Sequence, residues 1–63
     1  MKYKEVLERI IDLDKSKIKI IEYKSKDYST ISLMYNDVRL FDITTTQFKK
    51  LKDLGYNTEL KIY

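Results

Sequence analysis

The chain has no cysteine, histidine, proline, alanine or tryptophan, and only one glycine. Each absence removes a class of chemistry. Without cysteine there is neither a disulfide nor a thiolate metal site. Without histidine the other usual zinc ligand is missing, along with the side chain most often used as a general acid or base. Ser16, Ser25, Ser29 and Ser32 therefore have no imidazole to activate them. The lone Gly55 cannot build a glycine-rich phosphate loop. Asp12 and Asp14 read as solvated residues at a helix boundary rather than as cation ligands. The expectation is a protein that is not an enzyme, with no metal, no cofactor and no small-molecule substrate.

Long apolar runs are missing too. Nothing approaches the roughly 18 residues needed to cross a bilayer. Met1-Lys2-Tyr3-Lys4-Glu5 leads into a charged amphipathic segment, without the apolar stretch of a signal peptide. A cytoplasmic protein with no membrane association is expected.

What is present suits one small domain, residues 1–63. A chain this short buries only roughly 60% of its unfolded surface, so apolar packing must build a small core without help. Hydrophobic residues make up 43%, which fits a globular chain better than a disordered one. Thirteen bases against ten acids leave a net charge of +3, with both signs interspersed. That distribution describes a mixed soluble surface more than a concentrated nucleic-acid footprint. Residues with GC-rich codons are scarce, as in AT-rich genomes. Short basic reading frames of this kind are common in phages and mobile elements of low-GC bacteria.

Apolar periodicity predicts the elements. Tyr3, Val6, Leu7, Ile10 and Ile11 form one stripe of a helix over Lys2–Asp12. From Lys17 the pattern becomes β-like, predicting strands at 17–24, 29–35 and 38–43. The first two are joined by the polar tetrad 25–28 and the next two by Asn36-Asp37, both of which tolerate positive φ. Thr44 with Gln47 has capping-box spacing at the start of a second helix carrying Phe48, Leu51 and Leu54. Gly55 stands where that helix needs a left-handed residue, with Tyr56 available for the accompanying hydrophobic contact. A last strand covers 58–63. The fold class expected is α+β in the order α-β-β-β-α-β. It comprises a three-stranded antiparallel meander and a C-terminal strand, in spatial order 4-1-2-3, with both helices on one face.

Tight turns convert the strands into two faces. Regular pairing predicts a covered face of Ile18, Ile20, Ile31, Leu33, Tyr35, Val38 and Leu40, joined by Leu60 and Ile62, with Asp42 at its margin. The reverse face is expected to carry Lys19, Ile21, Tyr23, Thr30, Ser32, Met34, Arg39, Phe41, Ile43, Lys61 and Tyr63. Several of these are large and apolar, and no remaining element can cover them. Exposed apolar area of that kind marks interaction sites, although tyrosine and threonine also simply favour strands.

Two functional classes follow. In the first, the chain is a non-catalytic interaction module that binds and modulates a larger protein, as an accessory or inhibitory factor, or pairs with itself. Its anchors are Ile21, Tyr23, Met34 and Phe41, with Lys19 and Arg39 adding polar specificity. In the second, it binds nucleic acid. Tyr23, Phe41 and Tyr63 with Lys19, Arg39 and Lys61 then form a stacking platform for single strands, or Lys49, Lys50 and Lys52 meet phosphates along the second helix. The α-β-β-β-α order is similar to that of the double-stranded RNA-binding domain. Thr44-Thr45-Thr46-Gln47 replaces that family's lysine-rich helix start, so its contact residues do not transfer.

Overall fold

The computed structural model describes residues 1–63 and contains two helices and one four-stranded mixed sheet. Helix α1 covers Tyr3–Ile10, strand β1 Ile18–Lys24, β2 Ser29–Tyr35, β3 Val38–Ile43, helix α2 Thr45–Asp53 and β4 Asn57–Ile62. The strand order is β3-β2-β1-β4, with β4 parallel to β1 and the other neighbours antiparallel. This is the predicted α+β arrangement. One departure is a 3₁₀ turn over Lys15–Lys17, which takes Lys17 out of the first strand. Asp14 caps it, accepting from the Ser16 backbone N–H at 3.0 Å and from its hydroxyl at 2.8 Å.

Local chemistry explains where the elements start and stop. Asn36 and Asp37 have φ of 53° and 67°, the left-handed pair that a two-residue hairpin requires. Thr44 and Gln47 form a complete capping box, and the Gln47 side chain also donates to the Met1 carbonyl. Gly55, at φ 89°, ends α2. Its N–H donates to the Lys52 carbonyl, and the Tyr56 N–H to that of Leu51, which completes a Schellman motif. The Lys15 ammonium then donates to the Leu54 carbonyl at 2.7 Å, placing a cation at the helix C-terminus.

Val6 and Ile10 of α1 and Leu51 of α2 pack on Ile18, Ile20, Ile31, Leu33 and Ile43 of the sheet. Both helices therefore lie on one face. Fully burying each of these aliphatic side chains contributes about 1.5–3 kcal/mol, and together they form the cluster between the helices and the sheet.

The first hairpin has its predicted register, Ile20 opposite Leu33 and Ile18 opposite Tyr35. The second does not. Tyr35 faces Val38 as expected, but Leu33 faces Phe41 and Ile31 faces Ile43. Leu40 is an extra residue, a β-bulge, and beyond it the strand's alternation reverses. Phe41 and Ile43 thus turn toward the helices, Ile43 into the core and Phe41 half-buried beneath the Arg9 guanidinium of α1, 5.9 Å from the ring centroid. Val38 and Leu40, predicted to be covered, are exposed. Leu60 and Ile62 do share the side of Ile20, yet they too are exposed, because neither helix extends over β4.

Candidate functional site

The uncovered face of the sheet is built from alternate residues of all four strands. Lys19, Ile21 and Tyr23 of β1 stand beside Met34, Ser32 and Thr30 of β2, and beside Asn57, Glu59 and Lys61 of β4. Beyond the bulge, Asp42 is opposite Ser32 and therefore lies on this face, not at the margin of the covered one. A shallow, open depression of about 570 Å³ lies here, lined by Tyr23, Tyr28, Thr30, Ser32, Met34, Arg39, Asp42 and Tyr63.

Its walls are aromatic. The Tyr23 and Tyr63 rings stack at 5.9 Å between centroids and 15° between planes. The Lys61 ammonium stands 5.9 Å from the Tyr23 centroid. Tyr28 comes from the β1–β2 turn and is two-thirds exposed at 67%.

Its floor is polar and internally bonded. Asp42 accepts from Arg39 through Nε at 3.1 Å and Nη2 at 2.7 Å, and from the Ser32 hydroxyl at 2.8 Å. The Arg39 bonds, followed by the Ser32 bond, hold the Asp42 carboxyl below its ordinary value of 3.8. Lys19 pairs loosely with Glu59 at 3.8 Å. Two of the three bases on the face are thus matched with acids, leaving Lys61. Such pairs at an exposed surface contribute little stability; here they chiefly cancel charge.

Of the residues expected to anchor a partner, Tyr23 and Met34 line the depression, half-buried, and Arg39 lines it exposed, whereas Lys19 is exposed on the same face outside it. Two need correction. Ile21 is on the predicted side but only 6% exposed, and is closed over by its neighbours. Phe41 is on the other side of the sheet because of the bulge, and so takes no part in a tyrosine platform with Tyr23 and Tyr63. Lys61 and Tyr63 do belong to this face, whereas Lys49, Lys50 and Lys52 are carried by α2 on the opposite side. The two basic routes to nucleic acid are therefore separate. Lys50 is also engaged within the fold, its ammonium 4.7 Å from the Tyr3 ring centroid.

Sequence reading missed Tyr28 and Asp42 as parts of the site. Tyr28 carries only a turn signal in the sequence, and regular alternation puts Asp42 at the margin of the other face, because nothing local announces the bulge. The chain matches no family model, no curated protein and no solved structure. No helix is long and apolar enough to cross a membrane, and no cluster of acids is arranged to hold a metal ion.

Proposed function

We propose that this chain is a small, non-catalytic interaction module that binds a larger protein in the cytoplasm through its open sheet face, as an accessory or inhibitory factor. The observation that carries this reading is the depression walled by Tyr23, Tyr28, Met34 and Tyr63, with its Arg39 charge matched by Asp42 and, elsewhere on the same face, Lys19 matched by Glu59. Tyrosine and methionine supply contact area at protein interfaces, and matched charges lower the cost of bringing a protein surface against them. The AT-rich composition supports an origin in a phage or mobile element of a low-GC bacterium.

Binding to single-stranded nucleic acid is the second reading, supported by Lys61 beside the stacked Tyr23 and Tyr63 rings. It has less behind it. Each ring already gives one face to the other, and the other two bases of this side, Lys19 and Arg39, are paired with acids.

The test compares wild type with a Tyr23→Ser/Met34→Ser/Tyr63→Ser variant in affinity capture from source cells, with and without nuclease. The same two proteins are titrated with an oligothymidylate at low and moderate salt. We expect wild type alone to retain a protein, with or without nuclease, and oligonucleotide binding to be absent. Equal capture by the variant would remove the open face as the site. Capture lost on nuclease treatment, with oligonucleotide affinity falling by orders of magnitude as salt rises, would establish the second reading instead.

A further inference from the structure

β4 is an edge strand, and every one of its residues is exposed. The Tyr63 N–H donates to the Lys24 carbonyl of β1 at 2.8 Å. Backbone polar groups alternate along a strand, so those of Asn57, Glu59 and Lys61 also point at β1. Those of Thr58, Leu60 and Ile62 then point outward, unpaired. Natural sheets protect such an edge with a bulge, a proline, an inward charge or a covering element. At the other edge, β3 has its bulge at Leu40. β4 has no bulge, proline or covering element: its pairing with β1 runs unbroken from Asn57 to Ile62, and the chain contains no proline. The edge charges it does carry, Glu59 and Lys61, are one of each sign and so can be matched by a second copy. The side chains between the outward groups are apolar on the helix side, with Leu60 52% and Ile62 74% exposed.

We propose that β4 pairs with β4 of a second copy, antiparallel, about a two-fold axis through Leu60. The register follows from backbone direction and charge. Outward groups must meet outward groups, so Leu60 can oppose only Thr58, Leu60 or Ile62 of the second copy. Opposing Ile62 sets Lys61 against Lys61. Opposing Thr58 sets Glu59 against Glu59. Only Leu60 against Leu60 sets Glu59 against Lys61, and symmetry repeats that pair. Both fall at non-hydrogen-bonded positions, where the backbones are closest and opposite charges gain most. On the helix side Leu60 then covers Leu60 and Thr58 meets Ile62.

The result is a continuous sheet of twice the width. Both open faces lie on the same side of it, with Tyr63 of each copy opposite Asn57 of the other. This pairing goes beyond the proposed partner binding: it joins backbone edges, although Glu59, Lys61 and Tyr63 also border the open face. Because its test reads mass and amide protection of the isolated chain, either proposal can fail without the other.

Sedimentation equilibrium tests it on the wild type and on two charge variants, Glu59→Lys and Lys61→Glu, each checked for native secondary structure. Wild type is expected to dimerise at concentrations up to about 1 mM. Each variant alone places like charges against each other and should self-associate roughly tenfold or more weakly. Mixed one to one, the two variants restore opposite charges at both positions and should form a heterodimer. Amide hydrogen exchange on wild type gives a second readout that needs no variant. Protection at Thr58, Leu60 and Ile62 should rise with concentration, while that at Glu59 and Lys61 stays constant. A wild type that remains monomeric at the highest concentration overturns the proposal. So does undiminished self-association of either variant, failure of the mixture to associate, or protection of the outward amides that ignores concentration.

Discussion

Arg39 and Asp42 stand three residues apart on one strand and yet on one side of the sheet, with guanidinium and carboxylate 2.7 Å apart. In a regular strand that spacing puts two side chains on opposite faces. The extra residue, Leu40, brings them together, and in doing so sends Phe41 and Ile43 to the helices. The polar floor of the open face and part of the core thus depend on the same irregularity.

Deleting Leu40 should give unbroken pairing in which Phe41 still opposes Leu33 and Ile43 still opposes Ile31, so that both stay on the helix side. A change of about 1 kcal/mol or less is expected, because the residue removed is exposed and the core side chains keep their places. Ile43→Ala should cost about 2–4 kcal/mol, whereas Leu40→Ser should change stability by about 0.5 kcal/mol at most. Urea denaturation measures all three. The reverse ranking of the two point substitutions would place Leu40, not Ile43, in the core.

Acid should weaken the fold through Asp42 and Asp14. Both carboxyls are held below 3.8, Asp42 chiefly by Arg39 and then Ser32, Asp14 by hydrogen bonds from the Ser16 side chain and backbone. Because their folded values are depressed, their contribution is complete above the unfolded value and disappears as pH falls through the folded one, below 3.8. In an NMR titration of the side-chain carboxyls, Arg39→Gln should move Asp42 up toward 3.8 and leave Asp14 where it is. An Asp42 value unmoved by that substitution would break the assigned pair.

The ends of α2 make a separate prediction. Thr44→Ala removes a side-chain acceptor from the helix N-terminus and should cost about 1 kcal/mol. At Gly55 a new Cβ would meet only the Lys15 ammonium, at an ordinary 3.5 Å, so space is not the obstacle. The cost comes from φ 89°, and Gly55→Ala should lose about 1–2 kcal/mol, with Gly55→Asn losing less. Thermal unfolding of the three variants checks the order.

On the open face, fold and contact residues should separate. Ile21, 6% exposed, belongs to the packing, and Ile21→Ala should cost about 2 kcal/mol or more. Tyr63, 74% exposed, should tolerate Tyr63→Ser with a change of about 0.5 kcal/mol at most. Chemical denaturation of both variants decides it; comparable losses would mean that the tyrosine pair holds the sheet together.

Much of this was readable from residue order. Asn36-Asp37, Thr44 with Gln47, and Gly55 with Tyr56 each act within a few residues, so the turn, the capping box and the Schellman motif carry their own local signals. Alternation over 17–24 and 29–35 likewise yielded the first hairpin and the helix-facing side of β1 and β2. The tyrosines and Met34 on the reverse side followed from the same alternation.

Three features needed the folded chain. Val38-Arg39-Leu40-Phe41-Asp42-Ile43 does not by itself reveal the bulge, and packing beneath the helices selects it, because it places Phe41 and Ile43 on the covered side instead of Leu40 and Asp42. The exposure of Leu60 and Ile62 depends on how far two short helices extend across the sheet, a distance no local pattern encodes. Burial of Ile21 depends on neighbours from strands far apart in the chain. By itself the sequence determined the elements, their order and the chemistry of the Asn36-Asp37 turn and of both ends of α2, since those are settled by short-range backbone preference. Which side chains β3 buries and which edge is left open were decided only in the tertiary structure, where volume must be filled once and every strand competes for the same helices.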